Sequence, residues 1–113
     1  MKFLLLHYVD ETKKMSAEES REDQALLTAW LEDTIARGVS LQGNYLQPSR
    51  NAATVRARDG ELLVADGPFA ETKEQIAGFD IIECADLREA IEVASAHPTT
   101  RHGTIEIRPF SPE

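Results

Sequence analysis

At 113 residues and 12.6 kDa, with 42% hydrophobic and 28% charged side chains, the chain has the length and composition of one ordinary globular domain rather than a disordered tail. Its net charge of -8 is spread over the whole length and no Lys/Arg run interrupts it, which argues against binding to a nucleic-acid backbone. The longest N-terminal apolar run, Phe3 to Leu6, is too short for a signal segment or a membrane span, and the single cysteine, Cys84, leaves no intrachain disulfide and no Cys-based zinc site. The expected setting is the cytoplasm, with no membrane and no nucleic acid as partner.

Lys2 to Val9 reads as a strand with two apolar faces: Phe3, Leu5, His7 and Val9 on one, Leu4, Leu6 and Tyr8 on the other. Ser16 with Glu19 three residues on is a capping box, and Leu27, Trp30, Leu31, Thr34 and Ile35 follow at helical spacing. Gly38 supplies the left-handed stop, so a helix is predicted from about Ala17 to Arg37.

Leu41 to Gln47 is a candidate short strand closed by Pro48. Thr54 to Arg58 and Leu62 to Ala65 flank Asp59-Gly60, whose residues both suit the positive φ of a two-residue hairpin turn. Asp66-Gly67-Pro68 breaks the chain, and Thr72 to Gln75 is expected as a solvated helical turn. Ile76 to Cys84 is strand-like. Asp86 and Glu89 then open a second helix with Leu87, Ala90, Ile91 and Ala94 as its apolar stripe, His97-Pro98 closes it, and Thr104 to Arg108 is the last strand.

The order strand–helix–strand, hairpin, strand–helix–strand describes an α+β ferredoxin-like sandwich, an antiparallel sheet with two helices on one face. Two helices cover one side only, so the second apolar face of the first strand is expected to pair with another copy. A homodimer joined through its sheets follows.

The run Asp66-Gly67-Pro68-Phe69-Ala70-Glu71-Thr72-Lys73-Glu74-Gln75, then Ala77-Gly78-Phe79, His97-Pro98 and the ending Gly103 to Phe110, resembles the bacterial YCII-related proteins of the DGPF type. The resemblance spans nearly the whole chain, a single domain. It implies a ferredoxin-like fold paired into a dimeric α–β barrel, with a small cleft of unestablished reaction, and some relatives stand beside extracytoplasmic-function sigma factors. In the wider group a proposed His–Asp pair takes its His from the first helix, which has no histidine here, and the acidic residue before Pro at the end of the second helix is replaced by His97.

Asp66 is the first candidate for catalysis, as a general base at a cleft mouth; a turn aspartate that bonds its own backbone is the plainer reading. Glu71 is a second carboxylate of that segment, while Lys73 and Phe69 are candidates to hold a substrate, and Lys73 and Glu74 equally suit a solvated turn. Arg56 is a candidate carboxylate binder or a cross-strand partner of Glu61. His7, on an apolar strand face, is either a satisfied core residue or a proton shuttle beside a carboxylate. His97 suits a helix C-terminus as a cation and is a candidate substrate contact, and His102 is expected in solvent. The histidine spacing carries no metal signature, no cofactor motif is present, and Cys84 reads as a structural thiol. The expected function is a cofactor-independent acid–base enzyme acting on a small molecule. The alternatives are a ligand-binding or regulatory dimer and a purely structural one.

Overall fold

Alternation along the first strand, β1 (Lys2–Val9), organises the rest: Phe3, Leu5 and His7 are buried on one face, Leu4, Leu6 and Tyr8 half-buried on the other. The computed structural model describes residues 1–112. After β1 come α1 (Ala17–Ala36), β2 (Ser40–Tyr45), the strands β3 (Ala53–Arg58) and β4 (Glu61–Asp66), then β5 (Gln75–Glu83), α2 (Leu87–Ser95) and β6 (Thr104–Pro109).

Both helices begin at the caps the sequence announces. Ser16 Oγ accepts from the Glu19 N–H at 3.1 Å while Glu19 Oε1 accepts from the Ser16 N–H at 2.9 Å. Asp86 Oδ1 accepts from the Glu89 N–H at 2.9 Å at the head of α2. Gly38, at φ +71°, ends α1 in the left-handed region.

Four strands form one antiparallel sheet in the order β2-β5-β1-β6, so each strand–helix–strand unit is split by a strand of the other. This is the ferredoxin-like arrangement expected of the α+β reading. The helices lie on the Phe3/Leu5/Ile82 face, where Trp30, Ala90, Val93 and Ala94 complete the core. Each large side chain buried there contributes roughly 1.5–3 kcal/mol. Trp30 also donates its indole N–H to the Val93 carbonyl at 2.9 Å, tying α1 to α2.

Three local expectations change. Ile35 is 62% exposed rather than part of the α1 stripe, because Trp30 and Thr34 already face the sheet. On α2 the buried set is Ala90, Val93 and Ala94, while Leu87 and Ile91 are half-exposed. Residues 72–75 form a bend rather than a helical turn: Gln75 Nε2 bonds back to the Ala70 and Thr72 carbonyls and the chain enters β5 directly.

β3 and β4 form a separate two-stranded ribbon, turned by Asp59 (φ +52°) and Gly60 (φ +81°) as the hairpin signal predicts. Gly67, at φ +93°, turns the chain away from its base, with the Gly67 N–H donating to the Ala52 carbonyl at 2.7 Å. Nearly every residue of the ribbon is exposed.

On the uncovered face of the main sheet Leu4 stands opposite Ile81 and Leu6 opposite Phe79, an apolar patch that no helix among the described residues covers. Light scattering at micromolar concentration is therefore expected to give about twice the 12.6 kDa chain mass. Because Leu6 faces away from the helices, Leu6→Glu should yield a folded monomer, with far-UV circular dichroism unchanged.

Candidate functional site

On the helix-covered face, the inward residues of the sheet lie in rows. Phe3 and Ile82 are closed core; Leu5, Asp80 and Gly43 form the next row, and His7, Gly78 and Tyr45 the one after. Glycines in the second and third rows hollow the face instead of filling it. A cavity of about 500 Å³ opens there, floored by His7, Asp80 and His97 and walled by side chains of α1 such as Leu27 and Leu31.

His7 Nε2 and Asp80 Oδ2 are 2.7 Å apart, with both side chains buried. The residues sit diagonally across β1 and β5, a spacing a long side chain bridges. His7 Nδ1 bonds Thr99 Oγ1 at 3.1 Å, so both ring nitrogens are engaged. A Cβ at position 43 would overlap Asp80 Oδ1, so only glycine on β2 leaves room for this carboxylate. Gly43→Ala should thus destabilise the fold by about 1–3 kcal/mol in urea melts as Asp80 is driven off its site.

His97 lies between α2 and a 3-10 turn at Pro98–Arg101, with its ring centroid 4.3 Å from that of His7 and 4.7 Å, edge to face, from Trp30. The Thr99 backbone N–H donates to His97 Nδ1 at 3.0 Å. An imidazole nitrogen that accepts carries no proton, so neutral His97 holds its proton on Nε2. That nitrogen is 4.0 Å from Asp80 Oδ2, beyond hydrogen-bond reach.

The cationic helix-end role expected of His97 is therefore not what the fold uses. Burial, reinforced by His7 and His102, pushes its pKa down from 6.5 to about 3. An unfolded chain binds a proton here near pH 6.5 and the native chain near pH 3, so the unfolded state holds more protons between them. The stability His97 confers is complete above about pH 6.5 and is lost on acidification, by up to about 1.4 kcal/mol per pH unit. Urea melts at about pH 7 and about pH 5 should show that loss, and His97→Asn should flatten it.

His7, Asp80 and His97 bring three possible metal-ligand atoms within 4.8 Å of one another, a two-histidine, one-carboxylate set that sequence spacing hides. The tautomers do not suit a cation. A metal on Nε2 of His97 needs the proton on Nδ1, where the Thr99 N–H already points. The donor set fits a divalent ion only if that backbone contact breaks.

The cavity also gathers Asp23, Tyr45 and His102 toward its mouth. His102, exposed as expected, bonds Asp23 Oδ1 through Nε2 at 3.1 Å. Cys84 is buried and unreactive, its thiol pushed up to about 11 by desolvation and by Glu89.

The other sequence candidates stand elsewhere. Asp66 is exposed at the end of β4 and does not line this cavity. Glu71 and Lys73 border a separate shallow groove with Glu11 and Arg50. Phe69 is 75% exposed and stacks under the Arg56 guanidinium, 5.1 Å from its ring centroid. Arg56 faces Leu63 across the hairpin, while Glu61 pairs in register with Arg58. Of the seven candidates, the fold brings His7 and His97 together and keeps the rest apart from them. Asp80, Gly43 and Thr99, which complete the cluster, are not among the residues the sequence singles out. Asp80 did carry a signal, a lone acid between Phe79 and Ile81 in an apolar strand.

An α+β sandwich with a buried His–Asp pair beneath its helices defines the class: a small ferredoxin-like protein with a cavity on the helical side of its sheet. The YCII-related domain matches residues 1–113, and the chain belongs to that family. An uncharacterized protein of Rhizobium meliloti (strain 1021) is 40% identical over 117 residues, covering 98% of this chain and 93% of its own. Among solved structures, 5-chloro-2-hydroxyhydroquinone dehydrochlorinase from Burkholderia phenoliruptrix, in complex with 2,5-dihydroxybenzoquinone, superposes with a TM-score of 0.56 at 18% identity, covering 98% of this chain and 94% of that one. At that identity the likeness speaks for the fold. No helix among the described residues is long and apolar enough to cross a membrane.

Proposed function

We propose that this YCII-related protein is a small-molecule enzyme that moves protons without a cofactor, with Asp80 as its base. One observation carries the reading: His7 spends both ring nitrogens, on Asp80 and on Thr99, which leaves the remaining lone pairs of Asp80 as the free acceptor on the cavity floor. Proton-transfer catalysis needs that arrangement, a carboxylate held in one orientation by a partner that is itself held.

The roles divide accordingly. Asp80 takes and returns the proton. His7 donates Nε2–H to Asp80, fixing the carboxylate and lowering the cost of its charge, while the Thr99 hydroxyl fixes the tautomer of His7. Leu27, Leu31 and their neighbours supply an apolar wall that excludes water around a bound ligand. Asp66, Glu71, Arg56, Lys73 and Phe69 serve the root of the hairpin and its surface instead of the reaction. The dehydrochlorinase complex supports the reading from outside, since that structure holds a small oxygenated ring compound on the same fold. We further propose that the active form is a homodimer.

A thermal-shift screen of small neutral metabolites should find a ligand that raises the melting temperature. Turnover of that ligand should fall by about a hundredfold or more in Asp80→Asn, while Asp66→Asn behaves as the parent. Full activity in Asp80→Asn defeats the proposal. Binding that survives in every variant without any turnover points instead to a ligand-binding module.

A further inference from the structure

The cavity-facing groups of the cluster have one unused acceptor and one unused donor. The acceptor is Asp80; the donor is His97 Nε2–H, whose proton is set there because Nδ1 receives the Thr99 N–H at 3.0 Å. They stand 4.0 Å apart, too far to satisfy each other and close enough for one ligand to touch both. The cavity lining contains no lysine or arginine, and Asp23 and Asp80 make it acidic. An anionic ligand finds no counter-charge there and a cationic head has no acceptor for the His97 N–H, so a ligand that answers both groups is uncharged.

Resting on the assignment of Asp80 as base, we infer that the substrate is an uncharged, enolisable carbonyl compound whose oxygen is received by the neutral Nε2–H of His97 while its α-proton passes to Asp80. In this step the C–H bond next to the carbonyl breaks and the proton bonds to a carboxylate oxygen. The released electron pair becomes a C=C bond as the carbonyl π pair moves onto oxygen. The charge developing on that oxygen meets the His97 N–H, a donor aimed before the reaction begins. Asp80 then returns the proton to the same carbon or to a conjugated one, so the net change is exchange or isomerisation and needs no oxidant.

His97 remains a donor throughout and is never the acid. Its titratable surroundings are His7 on β1, Asp80 on β5 and His102 after the 3-10 turn, with Asp23 of α1 behind His102. From α1 the neutral Trp30 packs against its edge.

Long-range proton–nitrogen NMR of the intact protein reads the first half of the inference without any substrate. Nδ1 of His97 should be unprotonated and Nε2 protonated, unchanged from about pH 8 to about pH 5. The opposite tautomer, or a stoichiometric Zn²⁺-induced rise in melting temperature that His97→Asn abolishes, overturns it. Phenol, a stable enol mimic, reads the second half. Its binding should move the His97 Nε2–H resonance downfield and weaken about tenfold in His97→Asn, which keeps an acceptor for Thr99 but lacks the distal N–H. His97→Gln, with an amide N–H near the position of Nε2, should recover part of the affinity. Equal phenol affinity in all three proteins defeats the donor role, whatever Asp80 does. Activity that survives Asp80→Asn while the phenol results hold defeats the base assignment alone.

Discussion

Everything near the cavity depends on one buried contact, the 2.7 Å bond between His7 and Asp80. Burying a carboxylate under two helices costs several kcal/mol unless its charge is met. Here the cost is offset by an imidazole N–H, and that imidazole is satisfied in turn by a threonine hydroxyl. No buried side-chain nitrogen or oxygen among the described residues lacks a partner. His7, Asp80 and Thr99 therefore form a linked polar network inserted beside an apolar core, with His97 Nε2 and the remaining lone pairs of Asp80 turned to the cavity.

The network also shows how the fold makes room for a cavity. A sheet with Leu or Val in place of Gly43 and Gly78 would close onto the helices as the Phe3–Ile82 row does. Glycine there exchanges core volume for a cavity at a cost in strand stability. Beside that hollow, the tie between Trp30 and Val93 holds α1 to α2 within the closed core.

How legible this was depended on range along the chain. The capping box at Ser16, the turn at Asp59-Gly60 and the two-faced strand Lys2 to Val9 each occupy a handful of neighbouring residues, and each produced its element. The ferredoxin-like order followed from their succession. Site residues obey no such locality: His7 is 73 positions from Asp80 and 92 from Thr99. Spacing rules cannot register a pair closed by sheet registry, whereas the Asp66-Gly67-Pro68-Phe69 segment is conspicuous because its residues are neighbours in the chain. Its glycine does what local chemistry demands, turning the chain out of the hairpin. For a related reason the helix-end position of His97 suggests a cation, whereas the depth of the site, a tertiary property, makes it neutral.

The β3–β4 ribbon, whose own base is closed by the Gly67–Ala52 and Thr54–Gly67 hydrogen bonds, has a consequence for motion. A two-stranded hairpin without a packed face has little stability of its own. Its amides accordingly exchange with solvent through local opening, at a free energy far below that of global unfolding, while those of β1 and β5 exchange only when the whole core parts. The chain thus combines a stiff cavity with a compliant arm, and the arm can tolerate sequence drift or insertions without disturbing His7 and Asp80.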